Sequence, residues 1–567
     1  MVQIANDYTV SGFSREVERD RPKVVTQPNR VFVICVVVGG LACALLALAR
    51  QRPPEMSVQG VSPSQFSLDN ALTHIRTIAA RPHPSGSAEN TKVREYLVKT
   101  LTDEGLTPQI QELVLMGQTS EAPLVVRNVV ARLNGSNNTR AVLLVAHHDT
   151  TDRSPGAADN GSSVAALLET ARALKTGPPL RNDVIFLFTD REEYGLLGAH
   201  AFVAKHAWSK DVGLVLNFDA RGNRGPVLMF ETGQNNGWVI KEFARAAPHP
   251  FTSSVLPDLY RLLPNNTDFT VFRNQGLPGL NFAFIDGHAF YHQSTDTIEN
   301  LDPRSVAHLG WYALSLTRHF GDLDLNSPTA VDNAIYFDLL GSTVISYPRR
   351  WTALIAVLVS ALYVGILGIA LNRNRVRASG ILAGSLAFLI NALAVPLVIT
   401  STYVILARFF PAVANASNNV TERNLYLAGC AALTIVIGAL IYRVFARRMS
   451  VTEATLGGLF WWLLGTLLTS LFLQGGSYLF TWPLLLILLA HLSLTVLTHC
   501  QRPAVHLLLP AAGMFLSVIL FVPFIYHASI ALNSVLYGLA MCMFAFVVSL
   551  FLPLFGKLSP ARGSINT

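Results

Sequence analysis

The sequence predicts two structural classes in one chain: an α/β domain with a mostly parallel, twisted sheet covered by helices on both faces, and an α-helical domain with several membrane spans. Of its 567 residues, 51% are hydrophobic and only 14% are charged, whereas a typical soluble domain carries about a quarter charged residues. Between about Phe66 and Phe320, short apolar runs alternate with helix-period segments, which is typical of an α/β sheet domain. From about Trp351 to Leu552 the sequence is almost wholly apolar, with short polar breaks.

An N-terminal apolar segment runs from Val31 to Ala49 and contains no charged residue. Its 19 residues are enough to span a bilayer as a helix. The segment ends in Ala-Leu-Ala, which resembles a signal-peptidase site, so a cleaved signal peptide is the alternative to a membrane anchor. The mostly polar stretch before it is longer than a usual signal n-region, which favours the anchor. We therefore expect a cytoplasmic tail over 1–30 and a transmembrane anchor over 31–49.

Further apolar segments predict a seven-span transmembrane domain over 351–553, followed by a tail over 554–567. The segments lie near 352–371, 380–407, 425–445, 455–473, 477–499, 505–525 and 530–553. With a cytoplasmic N-terminus, the positive-inside rule is met by two arginine-rich loops. These loops hold Arg373, Arg375 and Arg377, and Arg443, Arg447 and Arg448. Other arginines, among them Arg349 and Arg423, fall on the opposite side, so the agreement is partial. The sequence predicts a multi-pass integral membrane protein whose α/β domain is extracytoplasmic.

The charge pattern and the cysteine positions argue against a nucleic-acid-binding protein and against a disulfide-stabilised α/β domain. The net charge is +7 and the pI about 9.2, but the sequence shows no basic stripe with interleaved aromatic residues, so we expect no nucleic-acid partner. The five cysteines lie in or beside apolar segments. The α/β domain has none, and its stability therefore does not depend on disulfide bonds. The sequence leaves the oligomeric state open.

Five apolar runs in the α/β domain are predicted strands, and four segments with helical periodicity are predicted helices. The strands are Val125–Leu133, Ala141–Ala146, Asp183–Phe188, Gly213–Phe218 and Leu280–Ile285. The helices are Ser162–Leu174, Leu196–His206, Val239–Ala246 and Arg304–Phe320. Because strands and helices alternate, the strands are expected to run parallel. In such sheets, ligands bind beyond the carboxyl ends of the strands.

Residues with metal-binding side chains follow four of these strands. In chain order they are His147-His148-Asp149, Glu192-Glu193, Asp219 and His292, with Asp159 in a glycine-rich loop before a helix. Each alone has an ordinary explanation, such as a helix cap or a solvated surface. Gathered at one sheet edge, however, carboxylates repel one another unless cations hold them. The cluster therefore predicts a divalent metal site, and nitrogen and oxygen ligands without thiolate indicate zinc, with Mn²⁺ or Co²⁺ as alternatives.

The order of these residues resembles the di-zinc metallopeptidases related to bacterial leucyl aminopeptidase. The similar stretches are AHHD, GAADNGSSVAALLE, TDREEYGLLGAHAF, LNFDARG, TDFTVFRNQGLPGLNF and YHQSTDTIENLD. They fall within roughly residues 70–320. The apolar C-terminal half resembles the membrane-anchored branch of that family, of the endoplasmic reticulum metallopeptidase and vacuolar membrane protease type. The resemblance implies a zinc exopeptidase fold, with a zinc metallopeptidase domain over 66–325.

The same resemblance implies two Zn²⁺ ions per chain and a role for each residue. The implied ligands are His147 and Asp219 for one ion, Glu193 and His292 for the other, and Asp159 between them. Glu192 would act as the general base, and Asp149 would hydrogen-bond the His147 ring and set its tautomer. His148 is not an implied ligand. The family also implies a cis peptide bond between Asp159 and Asn160.

The implied activity is that of a membrane-bound zinc exopeptidase, with aminopeptidase action on peptides favoured. A carboxypeptidase, a glutaminyl-cyclase-like enzyme and a non-catalytic transporter or receptor that keeps the fold are the alternatives. The complete set of ligands and base favours catalysis. Peptide substrates and the lipid bilayer are the expected partners. For the peptidase domain, a bacterial periplasm is favoured, and the lumen of the endoplasmic reticulum or vacuole is the alternative in a eukaryote.

Overall fold

The computed structural model describes residues 30–55, 62–115, 123–326, 332–410, 420–496, 503–531 and 536–555. The N-terminal tail predicted over 1–30 lies outside the described residues except for Arg30, and so does the C-terminal tail from residue 556 onward. The described residues form an α/β domain and a helical domain.

An eight-stranded mixed sheet forms the centre of the α/β domain. Its strands are β1 (Gln109–Leu115), β2 (Leu124–Leu133), β3 (Ala141–His147), β4 (Val184–Thr189), β5 (Val212–Ala220), β6 (Leu228–Thr232), β7 (Phe251–Thr252) and β8 (Gly279–Phe284). The strand order is β1-β2-β4-β3-β5-β8-β6-β7. The central strands β4, β3, β5 and β8 are parallel, as predicted, whereas β1, β2 and β6 pair antiparallel with their inner neighbours. The carboxyl ends of the four parallel strands therefore meet at one edge.

Helices cover both faces of this sheet, and one further helix precedes the domain. They are α1 (Arg30–Ala49), α2 (Leu68–Ile78), α3 (Ala88–Asp103), α4 (Ser163–Lys175), α5 (Leu197–Lys205), α6 (Gly237–Ala246), α7 (Val255–Tyr260), α8 (Asp268–Asn274) and α9 (Pro303–Gly321). Strand β3 is buried along its whole length. Its residues Val142 and Leu144 belong to the core with α4 and α9, while Leu143 and Val145 belong to the core with α5 and α8. This two-sided burial explains why the run is apolar without alternation.

A hairpin after the predicted end of the domain connects its core with the helical domain. It consists of β9 (Ala334–Leu339) and β10 (Thr343–Pro348). Successive side chains of a strand point to opposite faces. Tyr336 is accordingly buried in the core of the α/β domain, and Phe337 in that of the helical domain. The Phe337 ring stacks on Tyr478 with centroids 4.3 Å apart. The hairpin thus contributes to the cores of both domains.

Among the described residues, the helical domain contains α1 and seven helices that follow the hairpin. These are α10 (Trp351–Asn372), α11 (Ala378–Phe409), α12 (Val420–Phe445), α13 (Val451–Phe472), α14 (Ser477–Val496), α15 (Pro503–Ala531) and α16 (Tyr537–Phe555). By length and composition, seven helices in the described part of the chain are long and apolar enough to cross a membrane, and Tyr537–Phe551 is a shorter apolar helix. The described residues place a helix in each of the eight regions predicted to span, and residues 497–499 and 532–535 of those regions lie outside the described part.

The α/β domain contacts the helical domain near Gly475 and Tyr478, where α13 ends and α14 begins. Ser254 Oγ donates to the main-chain oxygen of Gly475 at 2.7 Å, and Ser253 Oγ lies 2.7 Å from the Tyr478 hydroxyl. Arg377, in one of the arginine-rich loops, pairs with Glu453 at the start of α13, with Nε and Oε1 3.2 Å apart. Helix α13 has 22 residues, which corresponds to about 33 Å. The arginine-rich loops therefore lie at the end remote from the α/β domain.

Gly310 provides a test of the packing between α9 and the start of the domain. A Cβ atom at this position would lie 2.1 Å from the buried Phe66 ring. Alanine in a helix interior is intrinsically better than glycine by about 0.5–1 kcal/mol, but overpacking costs about 1–3 kcal/mol. We expect Gly310→Ala to lower the melting temperature of the full-length protein. Gly365→Ala, where no atom lies within 4 Å of the added Cβ, is the control and should not lower it. Equal melting temperatures for both variants would contradict this packing.

Candidate metal centre

The parallel strands deliver the first members of the cluster to one edge of the sheet. His147 is the last residue of β3 and pairs in register with Thr189, the last residue of β4. Asp219 lies near the end of β5, and Glu193 lies in the turn that follows β4. The Nε2 atom of His147 and the nearer carboxylate oxygen of Asp219 are 3.8 Å apart. A rigid buried strand therefore aims each of these two side chains.

Asp159 reaches the same edge from the loop that precedes α4. The loop begins at Gly156, whose φ of +73° is the left-handed conformation that favours glycine. A Cβ there would also lie 2.4 Å from Thr150. The peptide bond between Asp159 and Asn160 is cis, as the family resemblance implies. The Asn160 side chain is buried and donates to the main-chain oxygen of Phe218 at 3.0 Å.

Asp159 lies between two histidine–carboxylate pairs. One of its oxygens is 3.1 Å from His147 Nε2, and the other is 3.2 Å from His292 Nε2. His292 Nε2 also lies 3.0 Å from a Glu193 oxygen. The ligand atoms of His147, Asp159 and Glu193 all lie within 4.8 Å of one another. The structure thus brings together the five predicted metal ligands, with Asp159 in the central position.

The geometry of this cluster fits divalent metal ions. The Glu193 Oε1 atom is buried without a hydrogen-bond partner among the described residues, and His292 Nε2 meets neither nearby carboxylate at a hydrogen-bonding angle. Buried polar atoms normally have such partners. The donors are imidazole nitrogens and carboxylate oxygens, a set suited to zinc. Divalent ions could therefore be held by His147, Asp219, Asp159, Glu193 and His292.

Burial and neighbouring charges shift the pKa values of the side chains at this edge. Burial raises the pKa of Glu193 to about 7, and the neighbouring Asp159 carboxylate adds to the effect. Burial also raises the pKa of Asp219. It opposes charge on His292, but the carboxylates of Asp159 and Glu193 raise the pKa of that histidine to about 10. Divalent cations would stabilise the ionised carboxylates that the protein alone disfavours.

Asp149 contacts the His147 ring and the main chain of Glu192. Its main-chain oxygen is 3.0 Å from His147 Nδ1, whereas its carboxylate lies 3.6 Å from that nitrogen. The predicted contact with the ring is therefore made at hydrogen-bond distance by the carbonyl. A carbonyl only accepts, so Nδ1 carries the proton and Nε2 is free to bind a metal. The Asp149 carboxylate instead accepts from the main-chain N–H of Glu192 at 3.1 Å, which fixes the turn that carries Glu192.

Glu192 and His148 occupy different environments. Burial raises the pKa of Glu192 well above its ordinary value, His147 opposes this effect, and the carboxylates of Asp219, Asp268 and Glu193 reinforce it. His148 is buried away from the metal ligands, with Nε2 3.1 Å from the Arg127 main-chain oxygen. The His148 side chain therefore contacts the main chain of β2.

Two buried aspartates near the site were not singled out from the sequence. The Asp296 carboxylate accepts from the main-chain N–H groups of Ala158 at 2.8 Å and Asp159 at 3.2 Å. It thereby holds the loop that carries the central ligand. Asp268 accepts from the buried Thr189 hydroxyl, and burial raises its pKa to about 7. Both lie in stretches that carry the family resemblance, but no local pattern separates them from helix-capping or turn aspartates.

Comparison with known proteins assigns the α/β domain to a class. Residues 128–317 match the family model described as Peptidase family M28, and the chain contains an M28 peptidase domain. Together with the apolar helices that follow, this confirms the resemblance to the membrane-anchored branch of the family.

The chain is similar to particular members of that branch. It is 31% identical over 359 residues to rat "Endoplasmic reticulum metallopeptidase 1", covering 57% of this chain and 40% of the relative. It is 32% identical over 298 residues to "Vacuolar membrane protease" of Candida albicans (strain WO-1), covering 51% and 34% respectively. The chain thus spans less than half the length of these relatives. Among solved structures, a zinc aminopeptidase from Bacillus subtilis is 15% identical, with a TM-score of 0.38, and the match covers 48% of this chain and 99% of that one.

The central position of Asp159 predicts the effect of removing its charge. We expect Asp159→Asn to weaken zinc binding at least tenfold, because the amide offers no negative charge to either histidine–carboxylate pair. Zinc content is to be measured by elemental mass spectrometry after dialysis at fixed free zinc. His200→Gln, at an exposed position in α5, should bind as the wild type does. Undiminished zinc in Asp159→Asn would count against a metal centre here.

Proposed function

We propose that the protein is a membrane-bound, zinc-dependent exopeptidase that acts as an aminopeptidase on peptides at the extracytoplasmic side. The observation that carries this proposal is the convergence of two histidines and two further carboxylates around Asp159, with distances of 3.0–3.8 Å between neighbouring ligand atoms, and with Glu192 in the adjoining turn. The M28 domain and the protease names of its relatives support it.

Two zinc ions fit the proposed ligand sets, with Mn²⁺ or Co²⁺ as alternatives. His147 and Asp219 would hold one, Glu193 and His292 the other, and Asp159 would bind both. When bound, such a pair polarises an amide carbonyl and lowers the pKa of water. The Asp149 carbonyl keeps the His147 tautomer that leaves Nε2 available, and Asp296 keeps Asp159 in place.

Glu192 is the proposed general base. It lies next to a ligand in sequence but in a turn rather than a strand, so the two adjacent side chains need not point to opposite faces. The Asp149 carboxylate fixes the main chain at Glu192. The raised pKa of Glu192 suits a group that takes a proton from water and returns it to the leaving amine.

The charge distribution of the helical domain supports the proposed orientation. The arginine-rich loops lie at the helix ends remote from the peptidase domain, and such loops favour the cytoplasm. The peptidase domain would then face the periplasm of a bacterium, the favoured compartment, or the lumen of the endoplasmic reticulum or vacuole. The relatives named above belong to the latter two compartments by name.

One observation favours a second candidate, a carboxypeptidase. The Arg221 guanidinium lies 6.0 Å from the centroid of the Tyr291 ring, beside His292 in sequence. Arg221 forms no ion pair within 4.0 Å among the described residues. A free guanidinium at the edge of the site could bind the carboxylate terminus of a peptide, whereas an aminopeptidase would recognise the free amine.

Replacement of the proposed base tests catalysis separately from metal binding. We expect Glu192→Gln to lower kcat by about 10²–10⁴-fold while zinc content stays unchanged. Peptide hydrolysis by the full-length protein in detergent is the assay, and a chelator should abolish it. Glu95→Gln, at an exposed position in α3, is the matched control. Bound zinc without hydrolysis of any peptide in a broad panel would favour a non-catalytic receptor.

Blocked peptides distinguish the proposed specificities. An aminopeptidase should cleave a peptide amide with a free amino terminus and leave the N-acetylated peptide with a free carboxylate intact. A carboxypeptidase should show the opposite preference, and Arg221→Gln should then raise its KM. Mass spectrometry of the products also identifies a glutaminyl cyclase, because an N-terminal glutamine would lose ammonia without chain cleavage.

A further inference from the structure

A buried ion pair connects the helical domain directly to the loop that carries His292. Arg423 lies in the first turn of α12, and only 2% of its side chain is exposed. Its Nη1 and Nη2 atoms donate to the two carboxylate oxygens of Asp286 at 2.5 and 3.0 Å. The Tyr526 hydroxyl of α15 lies 2.9 Å from Nη2 and 3.3 Å from Asp286 Oδ2. Two helices of the helical domain therefore hold one side chain of the peptidase domain.

The burial of this ion pair costs desolvation free energy, which indicates a specific role. Both charged groups leave water, and such desolvation is offset only when the hydrogen-bonding geometry is good. The two-pronged contact between a guanidinium and a carboxylate provides that geometry. Burial opposes charge on Asp286, yet the adjacent Arg423 guanidinium keeps the pKa of this carboxyl below its ordinary value. Asp286 is thus ionised, and both of its carboxylate oxygens accept hydrogen bonds from Arg423.

Asp286 begins the segment that ends at His292, which we name the His292 loop (residues 286–292). The Asp286 main-chain oxygen accepts from the N–H groups of Asn223 at 2.9 Å and Arg224 at 3.1 Å. Its carboxylate also accepts from the Gly287 N–H at 2.6 Å. Gly287 has a φ of +80°, and a Cβ there would lie 1.9 Å from Asn223 Oδ1. The start of the loop is therefore pressed between residues 222–224 and Arg423.

The far end of the loop is held by the cluster itself. His292 has a φ of +58°, a conformation that is uncommon for residues other than glycine. Its Nε2 lies beside Asp159 and Glu193. A short loop fixed at its first residue has few ways to reorient its last one. The Asp286 contact therefore restricts the positions that the His292 ring can adopt.

We propose that Arg423 is a positioning residue through which the helical domain sets the geometry, and hence the metal affinity, of the site formed by His292 and Glu193. This inference rests on the proposed metal centre. It also gives the helical domain a role in the function of the peptidase domain beyond anchoring it: movement of α12 or α15 would be transmitted to a metal ligand.

The test uses the full-length protein in detergent, with the variants Arg423→Gln, Arg423→Lys, Asp286→Asn and the double variant Arg423→Gln/Asp286→Asn. Hydrogen exchange of metal-free protein should be at least tenfold faster in the His292 loop of the single variants. The zinc affinity of the site formed by His292 and Glu193 should fall by about 10–100-fold, as for other residues that orient metal ligands. High free zinc should restore peptide hydrolysis, which a general loss of fold would prevent. Arg423→Lys keeps the charge but loses the two-pronged contact, so it should show an intermediate loss.

The double variant and a matched control give the decisive comparison. Because the two residues act as a pair, the double variant should lose no more zinc affinity than the worse single variant. It also leaves no unpaired buried charge, which favours its folding. Arg377→Gln removes the guanidinium that pairs with Glu453 at the remote end of the helices, and should change neither loop exchange nor zinc affinity. Unchanged exchange and affinity in both Asp286→Asn and the double variant would overturn the inference. Hydrogen exchange and zinc binding need no peptidase activity, so failure of the proposed function would be seen separately.

Discussion

The crowding of carboxylates at the carboxyl edge of the parallel strands is the constraint on which the rest of the structure depends. The carboxylates of Asp159, Glu193 and Asp219 lie together and are largely buried, and the imidazoles of His147 and His292 lie 3.0–3.8 Å from them. Side chains so arranged are costly unless cations bind them. The surrounding structure supports this arrangement: buried strands aim His147 and Asp219, and Asp296 holds the loop of Asp159.

Much of the α/β fold was predictable because its central strands are apolar on both faces. Each of the five predicted strands is observed within two residues of the predicted ends, and four of them lead into the polar residues that signalled the site. Strand β1 has the sequence QIQELVL and is largely exposed, so it lacks a continuous apolar run. Strands β6 and β7 and the β9–β10 hairpin depend on tertiary packing. The antiparallel direction of the outer strands also could not be predicted, because it depends on connections rather than on composition.

The candidate site was predictable to a different depth. The residue types indicated a metal site, whereas the assignment of ligands came from the family resemblance. The structure places those five residues together but changes one detail, because the Asp149 carbonyl rather than its carboxylate is nearest to His147. Such a detail depends on the main-chain turn. Arg423 could not be found from the sequence at all, since 137 positions separate it from Asp286 and an arginine at a helix end usually indicates an interface.

The helical domain and the peptidase domain form one continuous structure around these contacts. The β9–β10 hairpin contributes to both cores, and the Arg423–Asp286 pair reaches the loop of a metal ligand. In the proposed arrangement, movement of α12 or α15 would reach the metal site through this ion pair. The buried charges of Arg423 and Asp286, either of which would be costly to leave unpaired, lie where the two domains meet.

X-ray absorption spectroscopy at the zinc edge tests the central claim most directly, using full-length protein with two equivalents of zinc. The account predicts nitrogen and oxygen ligands at about 2.0–2.2 Å and no sulfur, with scattering from a second zinc at about 3.5–4 Å. A sulfur shell, or a fully coordinated zinc with no neighbouring metal, would contradict it.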